Sequence, residues 1–267
     1  MPETDLELLI RAARAAGAIA TRYSGREAQR WDKPDGAGPV TEADLAVNAL
    51  LEQMLPAARP GYGWLSEETE DNPDRLDRDR VFIVDPIDGT RSFAEGSLTW
   101  AHSLAVAERG VVTAAVIYLP MRDFLFSAAT GTGAFLNDTP IRVSEPQTLA
   151  DAHILAARPN LLPDHWIGRA APVFQREYRP SLAYRMALVA QGRFDGMLTL
   201  RPSWEWDIAA GDLLLREAGG LCTDRFGTAL RFNNNLPRLA GVIAGGTMVH
   251  ESLSAALDPE STGFPAL

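Results

Sequence analysis

The chain has 267 residues, 46% hydrophobic and 22% charged, a globular balance with enough apolar material for a sizeable core. Its formal net charge of −10 argues against nonspecific binding to nucleic acid, which needs a basic surface to displace phosphate counterions, but it leaves a small phosphorylated metabolite open as a partner. No apolar run approaches the ~20 residues that span a bilayer, and the N-terminus is acidic rather than basic and apolar, so a cytoplasmic location without a membrane partner is expected.

The segment Thr4 to Tyr23 opens with Thr4 and Glu7 in capping-box spacing and carries Leu6, Leu9, Ile10, Ala13 and Ala16 at helical intervals, which predicts an amphipathic helix. Trp31 to Val40, rich in Pro, Gly and Asp, reads as a loop. A second helix is expected from about Thr41 to Leu55, with Val47, Leu50, Leu51, Met54 and Leu55 on one face and Asp44 at the N-terminal end of that face. The short apolar run Val81-Phe82-Ile83-Val84 predicts a strand covered on both faces, ending abruptly at Asp85-Pro86-Ile87-Asp88-Gly89-Thr90. Strand-like runs at Ala101 to Ala107, Val111 to Leu119 and Phe124 to Ala128, with Arg109-Gly110 and Gly131-Thr132-Gly133 as turns, suggest an antiparallel meander.

The second half alternates differently. Helices are expected near Ser181 to Gln191 and Trp206 to Ala218, strands near Phe194 to Leu200 and Ala240 to Ala244, a last helix after Gly246, and a loose tail from Asp258 to Leu267. Helices layered on two sheets is the inferred architecture, with a boundary between Ser144 and Asp151 dividing an N-terminal α+β lobe (1–145) from a C-terminal α/β lobe (146–267). Cys222, the single cysteine, reads as a small buried hydrophobe. His102, His153, His165 and His250 have no nucleophile context and read as structural or surface residues.

Acidic residues stand at the edges of apolar segments: Glu67-Glu68, Asp85, Asp88 and Asp207. Two carboxylates about 4 Å apart repel by roughly 4 kcal/mol at an effective dielectric near 20, so convergence of several calls for a cation or for protonation. Oxygen ligands select a hard cation, and magnesium by default. Within Asp85-Pro86-Ile87-Asp88-Gly89-Thr90, Pro86 restricts the backbone and Gly89 permits a tight turn, so Asp85, Asp88 and the Ile87 carbonyl can face one point. The amides of Gly89, Thr90 and Arg91 would then open a helical turn able to cradle phosphate. Each residue also has an ordinary reading: Asp-Pro and Asp-Gly form turns, Asp44 fits a capping box with Thr41, and Asp207 suits the first turn of a helix.

Order and context decide between these readings. The strings Lys33…Pro39-Val40-Thr41-Glu42-Ala43-Asp44, Ser66-Glu67-Glu68, Asp85-Pro86-Ile87-Asp88-Gly89-Thr90 and Trp206-Asp207-Ile208-Ala209-Ala210-Gly211, closing with Glu217-Ala218-Gly219-Gly220, together resemble the inositol monophosphatase superfamily across nearly the whole chain. The resemblance implies a layered αβαβα sandwich of the inositol monophosphatase and sugar phosphatase type, dependence on Mg2+ with Mn2+ as a substitute, lithium sensitivity and a homodimer. It assigns one metal to Glu67, Asp85 and the Ile87 carbonyl, a second to Asp85, Asp88 and Asp207, and a third, weaker ion near Glu67, giving two or three ions. It gives Asp44, Thr90 and Glu67 catalytic roles, with Thr90 and Asp44 orienting and deprotonating a water, and gives Lys33 a place near phosphate.

The substrate is where the chain departs from the pattern. Inositol monophosphatases usually follow Asp-Gly-Thr with Thr-Asn-Phe and carry an acid seven positions before the helix aspartate; here stand Arg91-Ser92-Phe93 and, without a gap, Leu200. Arg91 is instead similar to 3′(2′),5′-bisphosphate nucleotidases, with Ser181, Arg185 and Arg201 as candidates for a second phosphate. The expectation is thus a phosphomonoesterase acting on adenosine 3′,5′-bisphosphate, with inositol 1-phosphate as the alternative. A regulatory protein that keeps the fold and binds a partner is the alternative of a different class; every expected acid is present, which favours the enzyme.

Overall fold

A computed structural model describes residues 2–23, 29–32 and 39–261. Helix α1 (Asp5–Ala20) starts as expected, because the Thr4 hydroxyl accepts from the Glu7 N–H while the Glu7 carboxylate accepts from the Thr4 N–H. Between it and α2 (Glu42–Ala58), the predicted loop is bounded by a ribbon of two three-residue strands, β1 (Arg30–Asp32) and β2 (Pro39–Thr41). Strands this short carry no readable alternation, which is why the sequence shows only a loop. Lys33 lies outside the described residues, as does the end of the expected tail.

The first large sheet has seven strands in chain order: β3 (Gly63–Ser66), β4 (Arg80–Asp88), β5 (Ala101–Glu108), β6 (Val111–Leu119), β7 (Phe124–Ala129), β8 (Gly133–Leu136) and β9 (Thr139–Ile141). From β4 onward it is the antiparallel meander that the turn signals predict, and Gly131-Thr132-Gly133 is a hairpin turn. β3 runs parallel to β4. One expectation is corrected. β4 does not stop at Val84 but continues to Asp88, because a bulge between Asp85 and Asp88 absorbs the proline and lets pairing with β5 resume. Helix α3 (Thr90–Ala94) follows at once.

The second half contributes β10 (His153–Ala156), β11 (Gln175–Glu177), α4 (Leu182–Ala190), β12 (Gly196–Thr199), β13 (Ser203–Trp204), α5 (Glu205–Glu217), β14 (Leu221–Thr223), β15 (Arg238–Leu239), β16 (Val242–Gly245) and α6 (Thr247–Ala256). Five of its strands form a mixed sheet in the order β11-β10-β12-β16-β14, while β13 and β15 make a small ribbon.

Burial shows how the layers stack. Alternate residues of β4 point to opposite faces: Phe82 and Val84 meet Leu8, Leu9, Val47 and Leu51 of α1 and α2, whereas Val81 and Ile83 join the central core. That central core sandwiches α4 and α5, through Met186, Val189, Ile208 and Leu213, between the first sheet and Met197 and Ala244 of the second. The outer face of the second sheet packs Ile154, Leu198 and Ile243 on Trp166 and on Val249 and Leu253 of α6. The result is an αβαβα sandwich whose central core draws on both sides of residue 145. Gly211 of α5 permits the close α4–α5 approach, since a Cβ there would lie 2.6 Å from Met186 side-chain atoms. Cys222 is buried, as expected.

Candidate metal and phosphate site

Three steps of local structure bring the acids together. Parallel pairing of β3 and β4 aligns Ser66 with Val84, and the Glu67 N–H donates to the Val84 carbonyl at 3.1 Å, so Glu67 and Asp85 leave adjacent strands side by side. On the other flank Asp85 pairs with Ser103 of β5, whose hydroxyl donates to the Trp206 carbonyl at 2.8 Å. That bond fixes the first turn of α5 and sets Asp207 beside Asp85. Carboxylate oxygens of Glu67, Asp85 and Asp207 consequently lie within 4.8 Å of one another.

Asp88 stands outside this trio. Its Oδ2 accepts from the Ser181 hydroxyl and from the Ala183 N–H, both at 2.6 Å, which commits that oxygen to the start of α4. Ser181 is itself held at φ 64°, a left-handed value rare for a non-glycine residue, and its hydroxyl also caps α4 by accepting from the Tyr184 N–H. Gly89, at φ 95°, makes the turn into α3, so the first amides of that short helix, which include Thr90 and Arg91, have no partner within it.

Asp44 closes the capping box expected of it and also meets Thr90. One oxygen accepts from the Thr41 N–H at 2.8 Å and the Thr41 hydroxyl at 2.5 Å, closing the capping box; the other accepts from the Thr90 hydroxyl at 3.1 Å. The same Thr90 hydroxyl also lies 3.1 Å from the Ile87 carbonyl. Burial pushes Asp44 up to about 6, against the pull of the Thr41 bonds. Burial first, and then the neighbouring charges of Glu67, Asp88 and Asp207, raise Asp85 well above the usual carboxylate range. Asp207 is raised for the same reasons, by burial and then by Asp88 and Glu67.

These residues fit a hard divalent cation. Asp85 Oδ1 is buried without a hydrogen-bond partner, and an unmet carboxylate oxygen among like charges is destabilising unless a cation or a proton meets it. An all-oxygen donor set of this kind suits magnesium.

The cluster floors a cavity of about 480 Å3 lined by Glu67, Asp85, Ile87, Asp88, Gly89, Thr90, Arg91, Ser92, Glu95, Tyr178, Pro180, Ser181, Leu182, Arg185, Arg201 and Asp207. Arg91, Ser181, Arg185 and Arg201 thus line one cavity with the acids. Leu200 does not: it is buried in the outer core with Ile243 and Leu253. Tyr178 and Glu95 escaped the sequence reading because each lies outside the motif blocks. Tyr178 packs under the Arg185 guanidinium at 5.4 Å.

A family model described as the inositol monophosphatase family matches residues 1–261. The chain belongs to the inositol monophosphatase family. Among similar curated proteins, an inositol-1-monophosphatase of Mesorhizobium japonicum is 34% identical over 265 residues, covering 94% of this chain and 95% of that one. The Nus factor SuhB of Escherichia coli K12 is 33% identical, covering 96% of each. Among solved structures, the Thermotoga maritima IMPase superposes with a TM-score of 0.80 at 29% identity, covering 94% of this chain and 95% of that one. As a member of this family the chain is a phosphomonoester hydrolase with the family's layered fold. No helix among the described residues is long and apolar enough to cross a membrane.

Proposed function

We propose that this inositol monophosphatase family member is a magnesium-dependent phosphatase of inositol 1-phosphate. The observation that carries the metal site is the convergence of Glu67, Asp85 and Asp207 around an unpartnered, buried Asp85 Oδ1. Glu67, Asp85, Asp207 and the Ile87 carbonyl would hold the ions, with the uncommitted oxygen of Asp88 as a further ligand. When bound, magnesium supplies Lewis-acid stabilisation of the attacking water and of the leaving oxygen.

The chain's own groups do the rest. With its hydroxyl hydrogen directed at Asp44, Thr90 keeps its lone pairs for a water, and Asp44 is the base to which the water's proton passes. The Gly89, Thr90 and Arg91 amides offer donors to the non-bridging phosphate oxygens, where charge develops during in-line attack. This arrangement needs Asp44 charged, so activity should fall in acid; burial raises Asp44 to about 6 in the metal-free site, and bound cations would move the fall below that.

The substrate preference expected from the sequence is reversed here. The similar proteins include inositol-1-monophosphatases, and the Leu200 departure concerns core packing rather than the cavity. One observation keeps adenosine 3′,5′-bisphosphate as a second reading: Arg91, Arg185 and Arg201 all line the cavity, and guanidinium groups pair well with a further phosphate. Measuring kcat/KM for both compounds in magnesium distinguishes the two. A clear preference for the nucleotide would overturn the inositol phosphate reading and leave the metal assignment intact.

A further inference from the structure

The bulge that shapes the metal-facing end of β4 is held from outside the site. Asp85 pairs with Ser103 and Asp88 with Ala101, so Pro86 and Ile87 together oppose the single residue His102. Pro86 has no N–H to give to the ladder. Its carbonyl is met instead by a side chain, the imidazole of His102, whose Nδ1 lies 2.5 Å away. A carbonyl can only accept, so Nδ1 carries the hydrogen and Nε2 is left as a bare acceptor. That Nε2 is buried and has no hydrogen-bond partner. The ring is fully buried, edge-on to Trp100 at 5.5 Å and tilted against Tyr118 at 6.3 Å.

Stability alone does not account for this residue. A leucine would remove the stranded Nε2 but leave the Pro86 carbonyl unmet in its place, so the imidazole brings no net gain in satisfied acceptors to the core. What the imidazole adds is a single directed bond to the residue lying between the Asp85 carboxylate and the Ile87 carbonyl. We propose that His102 is a positioning residue for the metal site, its Nδ1–H fixing the Pro86 carbonyl so that Asp85 and the Ile87 carbonyl turn toward the cation. The proposal rests on the metal reading given above, in which those two groups are ligands.

The test uses the full chain freed of metal, titrated directly with magnesium by calorimetry and with manganese by electron paramagnetic resonance, alongside thermal unfolding. His102→Asn places an amide N–H where Nδ1 stood, whereas His102→Gln places it at Nε2 and His102→Leu removes it. Loss of a group that orients a ligand typically weakens metal binding about 10- to 100-fold, which is the expected result for the Gln and Leu variants. His102→Asn should stay within roughly threefold of the wild type, because the donor is kept. His102→Leu trades the unmet Nε2 for an unmet Pro86 carbonyl and should melt close to the wild type, which separates positioning from stability; if it fails to fold, the Asn and Gln pair carries the comparison. Equal weakening in Asn and Gln, or wild-type affinity in Gln, overturns the proposal. A wild-type chain that binds neither ion would sink the metal reading itself, and this proposal with it.

Discussion

Asp85 and Asp207 are held charged only at a penalty, since burial and the neighbouring carboxylates, Glu67 and Asp88 foremost, oppose ionisation. Asp85→Asn and Asp207→Asn should therefore abolish magnesium-dependent turnover while the metal-free variants melt higher than the metal-free wild type. Relief of roughly 1 kcal/mol of repulsion corresponds to about 2 °C for a chain of this size. Near-normal activity of both variants at saturating magnesium would contradict the ligand assignment. Thr90→Ala probes a different step: it removes the hydroxyl that contacts Asp44 and leaves every carboxylate in place. Its kcat should fall by ~10²–10⁴-fold, with magnesium affinity little changed; an equal loss of affinity would place Thr90 among the ligands instead. Asp44 can close the cap and meet Thr90 at once, because the two oxygens of one carboxylate serve the cap and the hydroxyl separately.

At the scale of elements, the start of α5 has a support that the motifs do not announce. Glu205 is fully buried, and its carboxylate accepts from the Asn233 N–H at 2.7 Å, the Asn234 N–H at 2.9 Å and the Asn234 side-chain amide at 2.7 Å. Asn233 in turn accepts from Arg75 at 2.6 Å, which ties the segment after Glu67 to the helix that carries Asp207. Glu205→Ala strands these donors, so chemical denaturation should show a loss of about 3 kcal/mol or more; a change within about 0.5 kcal/mol, as for an ordinary surface substitution, would refute the network's importance. Helix starts and the meander were legible beforehand because capping spacing, apolar strand-like runs and turn residues are local properties of α1, α2 and β5 to β7. The β1–β2 ribbon, the parallel β3–β4 pair and the bulge were not. Each depends on a partner strand, and β4 reads as broken at Pro86 unless β5 is seen continuing beside it.

Across the whole molecule, the layered sandwich follows from which faces are apolar, yet convergence of the acids depends on long-range register. Neither the alignment of Ser66 with Val84 nor the Ser103–Trp206 bond has a sequence signature; family likeness, rather than periodicity, supplied the site in advance. The acids also couple metal to stability. Their folded-state values are raised, so the native protein without metal binds more protons than the unfolded chain between the ordinary carboxylate range and those values, and it loses stability as the pH rises through them. Magnesium must displace these protons at low pH. Its stabilising shift in Tm should consequently be larger at pH 8 than below pH 6, where Asp44, raised to about 6, is also protonated; a shift independent of pH would contradict the assignment of buried acids to the cation. The most direct measurement of the central claim is phosphate release from inositol 1-phosphate by the purified chain, with and without magnesium. The account predicts turnover that appears with magnesium, disappears with chelator and is absent from Asp85→Asn, whereas no release, or equal release in chelator, would contradict it.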